Sequence, residues 1–198
     1  MALPLVVGIT GASGAIYGVR LLEILRTSGI AAHLIISKSA VQTLNEETGL
    51  PPEAARALAR EVYSNNDLGA AVSSGSFKTR GMIVIPCSIR TLSDIAYGDT
   101  DTLISRAADV TLKERRRLVL IVRETPLHAG HLRSMMAATE NGAIIMPPVP
   151  AFYHRPRTID DIVNQTVGRA LDLFEIDPGI VKRWRSEQGG SAGGGEIA

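Results

Sequence analysis

The sequence predicts an α/β protein, a parallel sheet covered by helices on both faces. Three observations carry that prediction. Short uninterrupted apolar runs recur along the chain, as strands buried on both faces require. Segments with apolar residues at helical spacing lie between them. The two patterns alternate, the order that builds a parallel sheet through right-handed crossovers.

Residues 5–9 read as the first strand, and Thr10-Gly11-Ala12-Ser13-Gly14 as a glycine-rich turn. Ile16, Val19, Leu22 and Leu25 then recur at helical spacing, with Gly29 as the stop. A second strand covers 33–37, and the segment after Lys38 is helical. Pro51-Pro52 opens another helix, expected to run through Val62. The small polar residues of 65–75 make a loop. A third strand, 82–85, ends at Pro86-Cys87-Ser88, and helices follow over 89–97 and 103–114. The fourth strand is 118–122, followed by a helix over about 131–139. The fifth, 143–146, runs into Pro147-Pro148-Val149-Pro150, and a last helix spans 159–173. No internal repeat and no linker interrupts this series. Residues 1–188 are expected to form one domain, and the Gly/Ser-rich tail 189–198 to be flexible.

With 45% hydrophobic and 21% charged residues, the composition is that of an ordinary globular chain. A net charge of +1 argues against nucleic-acid or membrane-surface binding. Three Phe, four Tyr and one Trp supply no stacking platform for single strands. The one cysteine, Cys87, has no internal disulfide partner, and a cytoplasmic setting fits it. The apolar N-terminus lacks a positive flank and reads as a strand, not a signal peptide. No apolar run reaches the roughly 18–20 residues of a membrane span.

Candidate chemistry lies at the strand ends, where open α/β sheets bind ligands. The glycine turn at 10–14 opens a helix and suits a phosphate, although it also reads as a packing turn without GxGxxG or GK[ST]. Ser37-Lys38-Ser39 and Ser88 to Thr91 place hydroxyls at two further strand ends, for a nucleotide-like ligand or for helix capping. Cys87 is read as a small wall residue. Arg115 to Arg117 read as a solvated helix end, whereas Arg123 and Glu124 follow a buried strand into the expected crevice. His128 and His131 lack a partner at metal-ligand spacing. Tyr153 and Arg169 are candidates to hold an anion together.

Six motifs in this order resemble the flavin prenyltransferases over about residues 5–185. They are Gly-Ile-Thr-Gly-Ala-Ser-Gly-Ala at 8–15, Ile-Ser-Lys at 36–38 and Pro-Cys-Ser at 86–88, then Arg-Ala-Ala-Asp-Val-x-Leu-Lys-Glu-Arg-Arg at 106–116, Arg-Glu-Thr-Pro-Leu-His at 123–128 and Pro-Pro-Val-Pro-Ala-Phe-Tyr-His at 147–154. The resemblance implies a flavodoxin-like, Rossmann-like three-layer sandwich and a homododecamer with sites where subunits meet. It implies that FMN lies against Gly11, Ala12, Ser13, Ser37, Ser88, Ile89, Arg90, Thr91 and Arg123. Dimethylallyl phosphate is then held by Lys113, Arg123, Tyr153 and Arg169, with Arg106 nearby and Glu47 reaching in from a neighbouring subunit. Ser13 and Glu124 move protons, Lys113 assists phosphate departure, and Trp184 lies over the site. The implied reaction needs no metal. It joins the dimethylallyl group to N5 and C6 of reduced FMN. The product serves a separate UbiD-type decarboxylase, in ubiquinone synthesis or aromatic-acid catabolism. One departure is Leu68, where some relatives carry a tryptophan.

Two rival readings are weighed. Flavin-dependent decarboxylases of peptidyl or phosphopantothenoyl cysteine share the fold. They look for an Asn in the segment at 86–91 and a Met-Asn pair, and this chain has neither. A non-catalytic flavin carrier would bind FMN without a second phosphate pocket.

Overall fold

The structure is a computed structural model describing residues 2–184; the tail at 189–198 lies outside the described residues. Strands β1 (Leu5–Ile9), β2 (Ala32–Ile36), β3 (Glu61–Ser64), β4 (Gly81–Cys87), β5 (Arg117–Val122) and β6 (Ile144–Ile145) form one sheet. Its order is β3-β2-β1-β4-β5-β6, parallel throughout. The helices are α1 (Ala15–Thr27), α2 (Lys38–Thr48), α3 (Pro52–Arg56), α4 (Ile89–Tyr97), α5 (Leu103–Lys113), α6 (Ala129–Glu140) and α7 (Ile159–Asp172). The chain therefore adopts the expected flavodoxin-like three-layer arrangement.

Side chains alternate along the central strands between two cores. Leu5, Val7 and Ile9 of β1, with Ile83 and Ile85 of β4, pack against Leu22 of α1, Leu44 of α2 and Val167 of α7. Val6, Met82 and Val84 point the other way, toward Leu92 of α4, Ile104 of α5 and Ala138 of α6. Burial on both faces is why these strands read as continuous apolar runs. Among the described residues no helix is long and apolar enough to cross a membrane.

Three boundaries correct the sequence reading. The helix opened by Pro51-Pro52 does not reach Val62; α3 ends at Arg56 and the chain continues into edge strand β3. Only Ala55 of α3 is buried, so a longer helix has no apolar stripe to cover, whereas Val62 and Tyr63 suit a pleated edge paired with β2. The strand expected over 143–146 contracts to Ile144–Ile145. Helix α6 starts earlier than expected, at Ala129, because His128 caps it.

The chain builds outward from β1 through β2 and β3, then returns to β4 and builds the other way. The reversal lies between β1 and β4, and ligands bind outside the carboxyl ends of such a pair. Thr10 stitches this point together. Its hydroxyl donates to the Pro86 carbonyl at 2.7 Å and accepts from the Ser88 N–H at 2.8 Å. Pro86 has no N–H for the ladder, and the register of β4 against β5 shifts there.

Candidate functional site

Helices α2 and α4 begin at this end of the sheet. Ser37 caps α2, accepting the Ala40 N–H at 3.1 Å, and Ser88 caps α4, accepting the Thr91 N–H at 3.3 Å. Capping does not use these residues up. Ser37, Ser88, Arg90 and Thr91 also line a cleft of about 620 Å³, together with Lys38, Ser39, Asn65, Asp94 and Thr102 and the apolar Val41 and Ile104. That volume is typical of a small-molecule site. The donor set fits FMN. Lys38 and Arg90 at two helix N-termini suit a phosphate. The hydroxyls and the Asn65 amide suit a ribityl chain, and Val41 and Ile104 a ring face. Burial, then Asp99, raises the pKa of the Asp94 carboxyl against the pull of Arg90.

The start of α1 is built differently. Gly14 holds the N-cap position at φ 102°, left-handed backbone that glycine adopts without strain, and brings no side chain to cap the helix. Glu47 of α2 supplies the cap. Its Oε2 accepts the Gly14 N–H at 2.8 Å and the Ala15 N–H at 2.9 Å. Burial pushes the Glu47 pKa up, but bonds from Ser13, Ala15 and Gly14 and the charge of Arg123 outweigh it and hold the carboxyl below its ordinary range. Ser13, Glu47 and Arg123 thus meet at the carboxyl edge of the sheet. Two N–H groups expected to meet a phosphate meet a carboxylate of the same chain, and Glu47 is engaged by its own α1. Glu124 is exposed, and its Oε1 accepts the Thr125 N–H at 3.0 Å. Ser13 therefore bonds Glu47, and no bond to Glu124 is present.

A second cluster forms on α7. Gln165, buried, donates to Tyr153 Oη at 2.7 Å, and its Oε1 accepts the Lys182 N–H at 3.1 Å. The segment after Gly179 is thereby pinned along α7, and Trp184 comes edge-on to Tyr153 with ring centroids 5.5 Å apart. Arg169, one turn beyond Gln165, pairs with Asp172, which Arg183 also grips with both nitrogens. Tyr17 of α1 links the two clusters. Burial pushes its phenol up, opposed by a bond to Thr166 of α7 and by the nearby Arg123.

Lys113 does not join them. Helix α5 starts at the cleft, with Thr102 as its cap and Ile104 on the wall, and runs to the opposite edge of the sheet. There Lys113 bonds Glu114 at 2.6 Å, beside Gly75. Arg123 lies just past the other end of the six-residue β5, so roughly 20 Å separates the two. Arg106 pairs with Asp109 at 3.0 Å farther up α5. The groups expected on one donor phosphate are split, within one chain, between two ends of the sheet.

The chain matches the Flavoprotein family over residues 2–171. It is 58% identical over 184 residues to the flavin prenyltransferase UbiX of Escherichia coli strain K12, covering 91% of this chain and 97% of that relative. It belongs to the flavin prenyltransferase family. Among solved structures, AnUbiX (PadA1) in complex with FMN and dimethylallyl pyrophosphate has a TM-score of 0.92 at 52% identity, over 94% of this chain and 99% of that one. A dodecameric FMN-dependent UbiX-like decarboxylase from Escherichia coli O157:H7 has a TM-score of 0.91 at 47% identity, over 93% of this chain and all (100%) of the other.

Several residues of this flavin prenyltransferase escaped the sequence reading. Lys38 stood inside a recognised motif, and its strand-end position was the available signal. Asn65, Asp94 and Thr102 reach the cleft from a loop and two helices with no local pattern that points there. Gln165 lies on the buried side of α7, where an amide among Val163 and Val167 was the one clue. Cys87, expected as a wall residue, is instead fully buried in the core beside Leu92 and Val122 and does not line the cleft; desolvation pushes its thiol up. His128 and His131 stack at 3.6 Å, and the described residues contain no group of three or more metal-type ligands.

Proposed function

We propose that this flavin prenyltransferase joins the dimethylallyl group of dimethylallyl phosphate to N5 and C6 of reduced FMN, without a metal ion. The observation that carries this reading is a double site along one sheet edge. A flavin-sized cleft lined by Ser37, Lys38, Ser88, Arg90 and Thr91 lies at the same edge as a cationic and aromatic group, Arg123, Tyr153 and Trp184. A carrier needs only the first.

When bound, reduced FMN supplies the nucleophile. Arg123 and Tyr153 stabilise negative charge on the departing phosphate without reorganising. The ring faces of Tyr153 and Trp184 shield an allylic cation from water. Ser13 and Glu124 hold and move the protons released as bonds form. Gly11 and Ala12 let the flavin approach the backbone at the β1 turn, with Ile89 and Thr91 at the β4 end. Arg169 reaches the phosphate by exchanging its Asp172 contact.

Lys113 and Arg106 we assign to subunit junctions of a homododecamer, whereas Glu47 acts within its own chain as the cap of α1; the dodecameric relative supports such an assembly. The product passes to a UbiD-type decarboxylase. A buried, unpaired Cys87 suits a cytoplasmic setting. One observation favours the rival carrier: Lys113 stands apart from Arg123.

Anaerobic incubation with reduced FMN and dimethylallyl phosphate, followed by mass spectrometry, separates the two. A flavin heavier by one C5H8 unit is expected. Unmodified FMN with both the phosphate and the diphosphate donor would leave the carrier standing.

A further inference from the structure

We propose that His128 is a positioning residue: its neutral imidazole clamps the segment 123–128, which carries Arg123 and Glu124, and acid releases the clamp. Residues 123–129 are exposed without a break between β5 and α6. Such a segment is held by few bonds and opens easily. One end is fixed by the Arg123 N–H, which donates to the Cys87 carbonyl at 3.1 Å. The other is fixed by His128, whose Nδ1 accepts the Gly130 N–H at 3.0 Å and caps α6.

Two further features show a built contact. The His128 ring stacks on His131 at 3.6 Å between centroids. Position 130 is glycine, and a Cβ there would stand 2.7 Å from His128 Cε1. His131 Nδ1 is buried without a hydrogen-bond partner, so His131 supports the cap by stacking alone.

Helix caps are ordinarily Ser, Thr, Asp or Asn, which accept a hydrogen bond at any pH near neutrality. A histidine accepts only through an unprotonated nitrogen, and an imidazolium donates from both. Protonation therefore removes the cap, sets a cation against the positive end of α6 and brings it beside a second imidazole. Arg123 on the clamped segment and Arg133 on α6 add positive charge, and Glu124 opposes it. Helix α4, packed along α6, carries Arg90 and Asp94, while β6 brings only two isoleucines.

The activity readout rests on the prenyltransferase reading; the structural readout does not. At about pH 7.5, His128→Ala is expected to lower kcat roughly 10- to 100-fold by misplacing Arg123 and Glu124. His128→Asn, which caps without taking up a proton, stays within a few-fold of wild type and loses the fall in kcat on acidification. Amide hydrogen exchange over 123–130 is compared between about pH 7.5 and about pH 5.5, corrected for the intrinsic rate. Acid loosens the wild-type segment and leaves His128→Asn protected. A wild-type acid limb that persists in His128→Asn, or exchange equal in all three proteins, overturns the proposal. If His128→Ala fails to fold, the wild type and His128→Asn decide between them. If wild type makes no prenylated flavin, the proposed function fails while the exchange comparison still decides on the clamp.

Discussion

Arg123 and Lys113 stand at opposite ends of the same sheet, and their surroundings differ in kind. At the carboxyl end, strand ends coincide with helix N-termini, and loops from distant parts of the chain converge on one crevice. Arg123 acts there on Glu47 and Tyr17, groups drawn from two other helices. At the amino end, helix C-termini favour cations for their own sake. Arg116 serves structure in another way, donating to the Phe77 carbonyl at 2.7 Å and the Gly75 carbonyl at 2.6 Å, and so tying a loop down. Lys113 pairs with its neighbour Glu114. A basic residue in this fold is thus read by the end of the sheet it occupies. One at the amino end reaches substrate only if another chain brings its own carboxyl end to it.

The sharpest way to break this comparison is Arg123→Ala. Loss of a preorganised donor to a developing anion is expected to lower kcat/KM about 10³-fold in the prenylation assay. Retained activity would remove Arg123 from the donor pocket. Lys113→Ala should cost less, roughly 10- to 100-fold in turnover with FMN affinity unchanged. Mixed oligomers of Lys113→Ala and Arg123→Ala subunits should recover part of the lost activity, because some junctions then contain one intact copy of each. No recovery would mean that the two residues do not meet across subunits.

The smallest effect concerns Glu47. Its folded pKa lies below the unfolded value of about 4.3, so protonation favours the unfolded chain. Its stabilisation is complete above that unfolded value and is lost as pH falls through the folded one. Glu47→Gln is expected to cost about 0.5–1 kcal/mol near pH 7, after allowing for solvent screening, and little near pH 3. Urea unfolding at both values measures it, and an equal cost at both would show that the charge contributes nothing.

Much of the cleft was legible from the chain. Ser37, Ser88, Arg90 and Thr91 follow strands recognisable as apolar runs, so their place at one edge follows from the topology rule. Strand β3 was not legible, because an edge strand lacks the apolar run that marks a strand buried on both faces. The capping role of His128 was missed because histidine is not among the residues that ordinarily start helices.

The sequence by itself determined the layers and the site's edge. Residues 5–9, 82–85 and 118–122 are apolar without interruption, and only a sheet covered on both faces buries them. Tertiary structure alone decided which distant groups meet. Glu47 closes the start of α1 across 32 and 33 residues because Gly14 leaves two N–H groups without a local acceptor. Gln165 holds Tyr153 and the segment carrying Trp184 because a buried amide must satisfy both its donor and its acceptor. Lys113 is sent to the far edge because α5 runs antiparallel to the strands it covers. No local periodicity encodes these pairings; they follow from packing and from the cost of burying an unpaired polar group.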